Sequence, residues 1–108
     1  MTQEIDAFMK YLQEVKKISK NTAVSYETDL RKMKEFLYSE GVLSVEDVRQ
    51  EHLKIYMEKQ EQEGKKPATI SRGLASMKAL FQYLMVQNYV NQNVTDGLKA
   101  PKIEKKAP

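Results

Sequence analysis

The sequence predicts an all-α fold: a compact bundle of four main helices followed by one short C-terminal helical turn. Three observations carry this. Apolar residues recur at spacings of three and four in four separate stretches, the rhythm of helices with one buried stripe each. No stretch alternates apolar and polar residues as a half-buried strand does. The periodic stretches are punctuated by residues that start or stop helices, namely Ser19, Gly41, Gly64 and Asn88.

Taken in order, Thr2 is the expected N-cap of a first helix reaching to about Lys17, with Ile5, Phe8, Met9, Leu12 and Val15 as its buried stripe. Lys16, Lys17 and Ile18 form a basic connector. Ser19 caps a second helix that ends near Glu40, where Gly41 is the left-handed stop. Its apolar side is Ala23, Tyr26, Leu30, Met33 and Leu37. Ser44 caps a short turn at Val45–Val48. A third helix runs from about Glu51 to Glu63 with Leu53, Tyr56, Met57 and Gln60 inward, and Gly64 ends it. The fourth helix occupies Lys65 to Met85, with Pro67 in its first turn and Asn88 as its cap. Ile70, Leu74, Met77, Phe81 and Leu84 form its buried stripe. Thr95 to Lys99 is expected to make the last helical turn, with Leu98 packed back on the bundle.

A length of 108 residues corresponds to one domain, assigned to residues 1–100. Residues 101–108, PKIEKKAP, are basic and aperiodic and read as the start of a linker. There is no cysteine, which excludes disulfides and cysteine-ligated zinc. His52 is the only histidine, so no metal site and no cofactor are expected. No apolar run approaches the ~20 residues of a membrane span, and a soluble, cytoplasmic protein is the expectation. The glycines are scattered, which rules out a glycine-rich phosphate loop. No pair of carboxylates or nucleophile–base pattern stands out, so catalysis by this chain alone is not expected.

The net charge of +3 matters less than its distribution. Residues 10–34 hold seven Lys/Arg against three acids. Residues 40–63 hold three against seven, and residues 64–108 hold eight against two. Two basic segments therefore flank an acidic third helix, and two basic elements facing one way would make a phosphate-binding patch.

The second and fourth helices each carry a slim polar side as well. On the second it is Asn21, Ser25, Thr28 and Lys32, beginning at a helix N-terminus where backbone N–H groups favour an anion. On the fourth it is Thr69, Arg72, Ser76 and Ala79, with Lys65 and Lys66 just ahead. A slim helix with a positive N-terminal end suits a DNA major groove. The same spacing also fits a solvated face on the second helix, and close packing against a neighbour on the fourth.

Two strings decide between these readings. ISKNTAVSYETDLRKMKEFL (residues 18–37) and KKPATISRGLASMKALFQYLM (65–85), the latter followed by NVTDGLKAPK, together resemble the N-terminal core-binding, SAM-like domain of tyrosine recombinases and phage-type integrases. The matching positions are Ser19, Asn21, Thr22, Tyr26, Asp29 and Leu30 in the first string. In the second they are Thr69, Ile70, Arg72, Leu74, Lys78, Phe81 and Tyr83. The resemblance implies a helical domain that grips one side of a recombination core site while a catalytic domain grips the other. Its partner would be a double-stranded DNA core site, with the isolated domain a monomer and the full-length recombinase a tetramer on DNA. Family contacts fall on Asn21, Thr22, Arg72 and Lys78, with Ser19 and Thr69 at the helix starts. Lys20, Ser25, Lys32, Lys65, Lys66 and Ser76 complete the candidate set from helix geometry and charge. The two helices are expected to lie side by side on one surface free of carboxylates.

Departures from the family pattern are Lys66 in place of a capping Ser, Ala75 in place of a Ser, Glu27 in place of an Arg, and Val94 in place of a Pro. The rival readings are a helical protein-interaction module and a stand-alone helix-turn-helix regulator.

Overall fold

The computed structural model describes residues 1–99. They form helices α1 (Thr2–Glu14), α2 (Lys20–Ser39), α3 (Gln50–Gln62) and α4 (Pro67–Val86), with one 3-10 turn, Val45–Asp47, between α2 and α3. Among the described residues there is no strand. The expected linker, residues 101–108, lies outside the described residues.

Helix α1 differs from expectation at both ends. Thr2 is not its cap but its first residue, and the cap is Met1. The Thr2 hydroxyl accepts a hydrogen bond from Lys34 Nζ of α2 at 3.2 Å. The first turn is closed instead by the Met1 ammonium, 3.1 Å from Glu4. The helix stops at Glu14 rather than Lys17 because Lys17 sits in the left-handed region at φ 51°. Ile18 N–H then reaches back to the Leu12 carbonyl at 3.1 Å, which turns the chain into α2. Val15, expected in the core, lies beyond the last buried turn and is 64% exposed.

The other boundaries follow local chemistry. Ser19 Oγ accepts the Thr22 N–H at 3.2 Å, an N-cap bond. Gly41, Gly64 and Asn88 all have positive φ, at 82°, 82° and 65°. Each closes a two-bond stop. Val42 N–H reaches Leu37 O while Gly41 N–H reaches Tyr38 O, and the same pattern recurs as Lys65 to Gln60 with Gly64 to Glu61, and Tyr89 to Leu84 with Asn88 to Met85. At the start of α3, His52 Nδ1 accepts the Arg49 N–H at 3.0 Å. The lone histidine is thus a half-buried capping residue. Pro67 opens α4, and Lys66 precedes it without a side-chain cap bond.

Helices α2 and α4 each pack against the other three. Tyr83 meets Phe8 and Tyr11 of α1 at ring separations of 5.4 and 5.0 Å. Phe36 of α2 and Tyr56 of α3 pair at 5.1 Å. Arg31 ties α2 to Asp6 of α1 at 2.9 Å. A helix touched on three sides buries a wide arc. Besides the expected stripe, α4 therefore buries Gly73, Ser76 and Leu80. After α4 the chain makes a hydrogen-bonded turn near Thr95 rather than a helix. Asn93 Oδ1 accepts the Thr95 N–H at 3.0 Å, and Gln50 Nε2 of α3 donates to Asp96 O at 2.6 Å. Leu98 is buried, as expected.

Candidate nucleic-acid interface

The α2 contribution begins at its N-terminus. Ser19 and Thr22 engage each other, with Ser19 Oγ donating to Thr22 Oγ1 at 2.8 Å. Lys20, Asn21 and Thr22 are exposed, Ser25 is half-buried, and Lys32 is exposed three turns along. The Thr28 hydroxyl is turned inward on its own helix, donating to Val24 O at 2.9 Å. Val24 is exposed beside it. The opposite side of α2 holds Ala23, Leu30, Met33 and Leu37 in the core. The polar stripe therefore faces away from the bundle.

On α4, Lys65 and Lys66 are exposed immediately ahead of the helix, Thr69 is half-buried, and Arg72 and Lys78 are exposed. Ser76 is a correction. It is fully buried and donates to Gly73 O at 2.6 Å within its own helix, so it cannot meet DNA. The reason is the wide buried arc of α4, which rotates the exposed face away from Ser76. That face consists of Ala68, Ser71, Arg72, Ala75, Lys78 and Gln82, of which only Ser71 is partly covered. It is slim, as expected, but turned by about a quarter of the helix circumference, as follows from 100° per residue.

The α2–α4 seam carries the main ion pair. Arg72 Nε donates to Asp29 Oδ2 at 2.9 Å and Nη2 to Oδ1 at 3.0 Å. The Arg72 side chain is 47% exposed and that of Asp29 only 10%. The carboxylate therefore lies beneath the guanidinium, and its two bonds hold the Arg72 pKa above the ordinary arginine value. Asp29 also acts on the third helix. Burial first, and then the Asp29, Glu63 and Glu35 charges, push the Tyr56 phenol up to about 12. The expectation of a surface without carboxylates is thus corrected: Asp29 sits within it, neutralised by Arg72, and Glu35 is exposed on α2 one turn after Lys32.

The structure accordingly joins α2 to Arg72 through Asp29, the residue that follows Thr28 of the polar stripe. Lys78 stands apart, on the other flank of the exposed α4 face. There it lines a shallow depression with Gln82, Asn93 and Asp96. The residue that sequence reasoning passed over as a site member is Asp29. Its only signal was its place in the same motif as Tyr26 and Leu30. Among the described residues no cluster of His, Asp or Glu is arranged to hold a metal ion. No described helix is long and apolar enough to cross a membrane.

Residues 5–88 match the family model described as the phage integrase N-terminal SAM-like domain. A protein of Caldanaerobacter subterraneus subsp. tengcongensis, designated by inference a tyrosine recombinase, is 33% identical over 96% of this chain and 36% of its own length. Tyrosine recombinase XerC of Stutzerimonas stutzeri is 28% identical over the whole chain and 36% of its own length. XerC of Roseiflexus castenholzii is 25% identical over the whole chain and 34% of its own length. The chain thus spans about a third of the length of the relatives it matches. No solved structure matches it. The four-helix all-α fold agrees with the family match, and the chain belongs to the phage-integrase N-terminal SAM-like domains of the tyrosine recombinases.

Proposed function

We propose that this domain binds double-stranded DNA at a recombination core site, as the N-terminal half of a two-domain clamp. In this reading the longer protein is a tyrosine recombinase that serves DNA integration and site-specific recombination in the cytoplasm, and acts as a tetramer on DNA. Strand cleavage and rejoining belong to a catalytic domain outside this chain, and the domain alone is a monomer. The observation that carries the reading is the exposed seam of α2 and α4. There Lys20, Asn21, Thr22 and Lys32 stand on one helix, and Lys65, Lys66 and Arg72 on or just before the other. The acid-rich outer face lies on α3 instead.

The chemistry follows from that surface. The ridge of Ala68 and Ala75 is narrow enough for the backbone of α4 to sit deep in a major groove about 12 Å wide. The lysines at the start of each helix, and the helix N-termini themselves, suit phosphate oxygens. Ser19, Ser25, Thr69 and Lys78 flank the seam as secondary contacts. Phosphate contacts supply most of the affinity and fix the register, while few side chains reach base edges. Titration of a labelled core-site duplex by fluorescence anisotropy tests this. Binding is expected at low salt and should fall steeply as salt rises. A chain that does not bind at low salt, or whose binding ignores salt, does not have this function.

A further inference from the structure

We propose that Asp29 is a positioning residue that turns Arg72 from a phosphate-seeking cation into a reader of guanine. The inference rests on the reading that this face meets DNA.

The geometry is specific. Asp29 takes the Nε and one Nη2 hydrogen of Arg72 in a bidentate pair at 2.9 and 3.0 Å. A guanidinium has five N–H groups in one plane. The pair leaves the two on Nη1 and the second on Nη2 unused. Asp29 lies beneath, 10% exposed, and Arg72 lies above it, 47% exposed, so the fork is held against the protein on one edge and meets solvent on the other. An arginine fork presented edge-on matches the O6 and N7 acceptors of guanine in the major groove. Holding the side chain in place beforehand removes ordering cost from the moment of binding.

The charge balance points the same way. Arg72 and Asp29 together are neutral, so the pair releases few counterions on meeting a phosphate. A carboxylate in a DNA-facing seam works against affinity. Its value lies in direction, because the bond geometry restricts the guanidinium to one approach. Lys20, Lys32, Lys65 and Lys66, with Lys78 on the flank, carry the unspecific attraction instead.

The experiment uses the 108-residue chain and its Asp29→Asn, Arg72→Ala and Arg72→Lys variants. Each is put through selection from a duplex pool with a randomised central stretch, and through salt titrations on an alternating A·T duplex. The unmodified chain should enrich a guanine at one position by about tenfold over other bases. Arg72→Ala and Arg72→Lys should both lose that preference, since lysine keeps the charge but not the fork. Asp29→Asn should lose the preference too, while binding the A·T duplex more tightly and with a salt slope steeper by about 0.9. This opposite movement of selectivity and affinity is what a merely structural Asp29 would not produce. The inference is overturned if Asp29→Asn keeps the guanine preference, or if the unmodified chain binds without selecting guanine. It is also overturned if Asp29→Asn weakens binding to both kinds of duplex alike. Failure of the unmodified chain to bind any duplex at low salt removes the DNA-binding reading itself. Thermal melts of all four proteins show that each is folded at the assay temperature.

Discussion

Replacing Lys65 and Lys66 together by glutamine isolates the unspecific part of the proposed DNA contact. Both lysines are exposed just ahead of α4, and Lys66 makes no side-chain cap bond there. Neither belongs to the ion pairs of the described residues. Their removal should leave the melting midpoint within the range of an ordinary surface change, about 0.5 kcal/mol. The effect on binding can be worked out from charge. The exposed candidate lysines are Lys20, Lys32, Lys65, Lys66 and Lys78, and Arg72 is discounted because Asp29 neutralises it. If all five meet phosphates, the slope of log affinity against log salt is about −4.5, at roughly 0.9 per phosphate. Raising salt fourfold then costs the unmodified chain about 500-fold in affinity. The double variant keeps three cations, with a slope of about −2.7 and a loss of about 40-fold. Anisotropy titrations at four or five salt concentrations measure both slopes. Parallel lines for the two proteins would refute the placement of these lysines against the phosphate backbone, whatever the absolute affinities.

Other outcomes follow from single features. Arg72→Ala leaves the mostly covered Asp29 carboxylate without its two donors; because Arg72 itself is half in solvent, the cost should be only about 1–2 kcal/mol in a denaturant melt, with the fold retained. Ser76→Ala should leave DNA affinity unchanged within error, since the hydroxyl is sealed inside the bundle, and any clear loss of binding would contradict its burial. The Tyr56 phenol is raised from 10.0 to about 12 in the folded protein. A raised folded value means its stabilising contribution is complete below about pH 10 and is lost as pH climbs towards 12, so a phenolate absorbance titration should find a step near 12 that is absent in Tyr56→Phe, while Tyr83, which burial also raises, still titrates late in that variant. Phe81→Ala empties a fully buried site in the C-terminal half of α4 and should cost about 3–5 kcal/mol.

Most of the helical frame was legible in the chain because its signals are local. Gly41, Gly64 and Asn88 stop helices through their own backbone preference, and Ser19 starts one through its own hydroxyl. The buried stripes of α2, α3 and α4 were legible because a helix samples the same face every three or four residues. What escaped depends on partners far away in sequence. Ser76 was misjudged because nothing in the local pattern says that α4 is enclosed on three sides. Val15 was misjudged because the left-handed turn at Lys17 is made by a residue type that rarely adopts it. The bond between Asp29 and Arg72 joins positions 43 residues apart, and no periodicity reports it. Of the candidate interface, the lysines and Asn21 were readable as exposed helix positions, whereas the orientation and charge state of the seam required the packed structure.

The position of α4 also governs how the chain matures on the ribosome. It is the last of the four described helices to be synthesised, yet, like α2, it packs against the other three. Nascent chains shorter than about 86 residues can pair α1 with α2 and α2 with α3, but the sides of those helices that α4 covers stay open. Completion of the core must therefore wait until α4, through Val86, has left the exit tunnel.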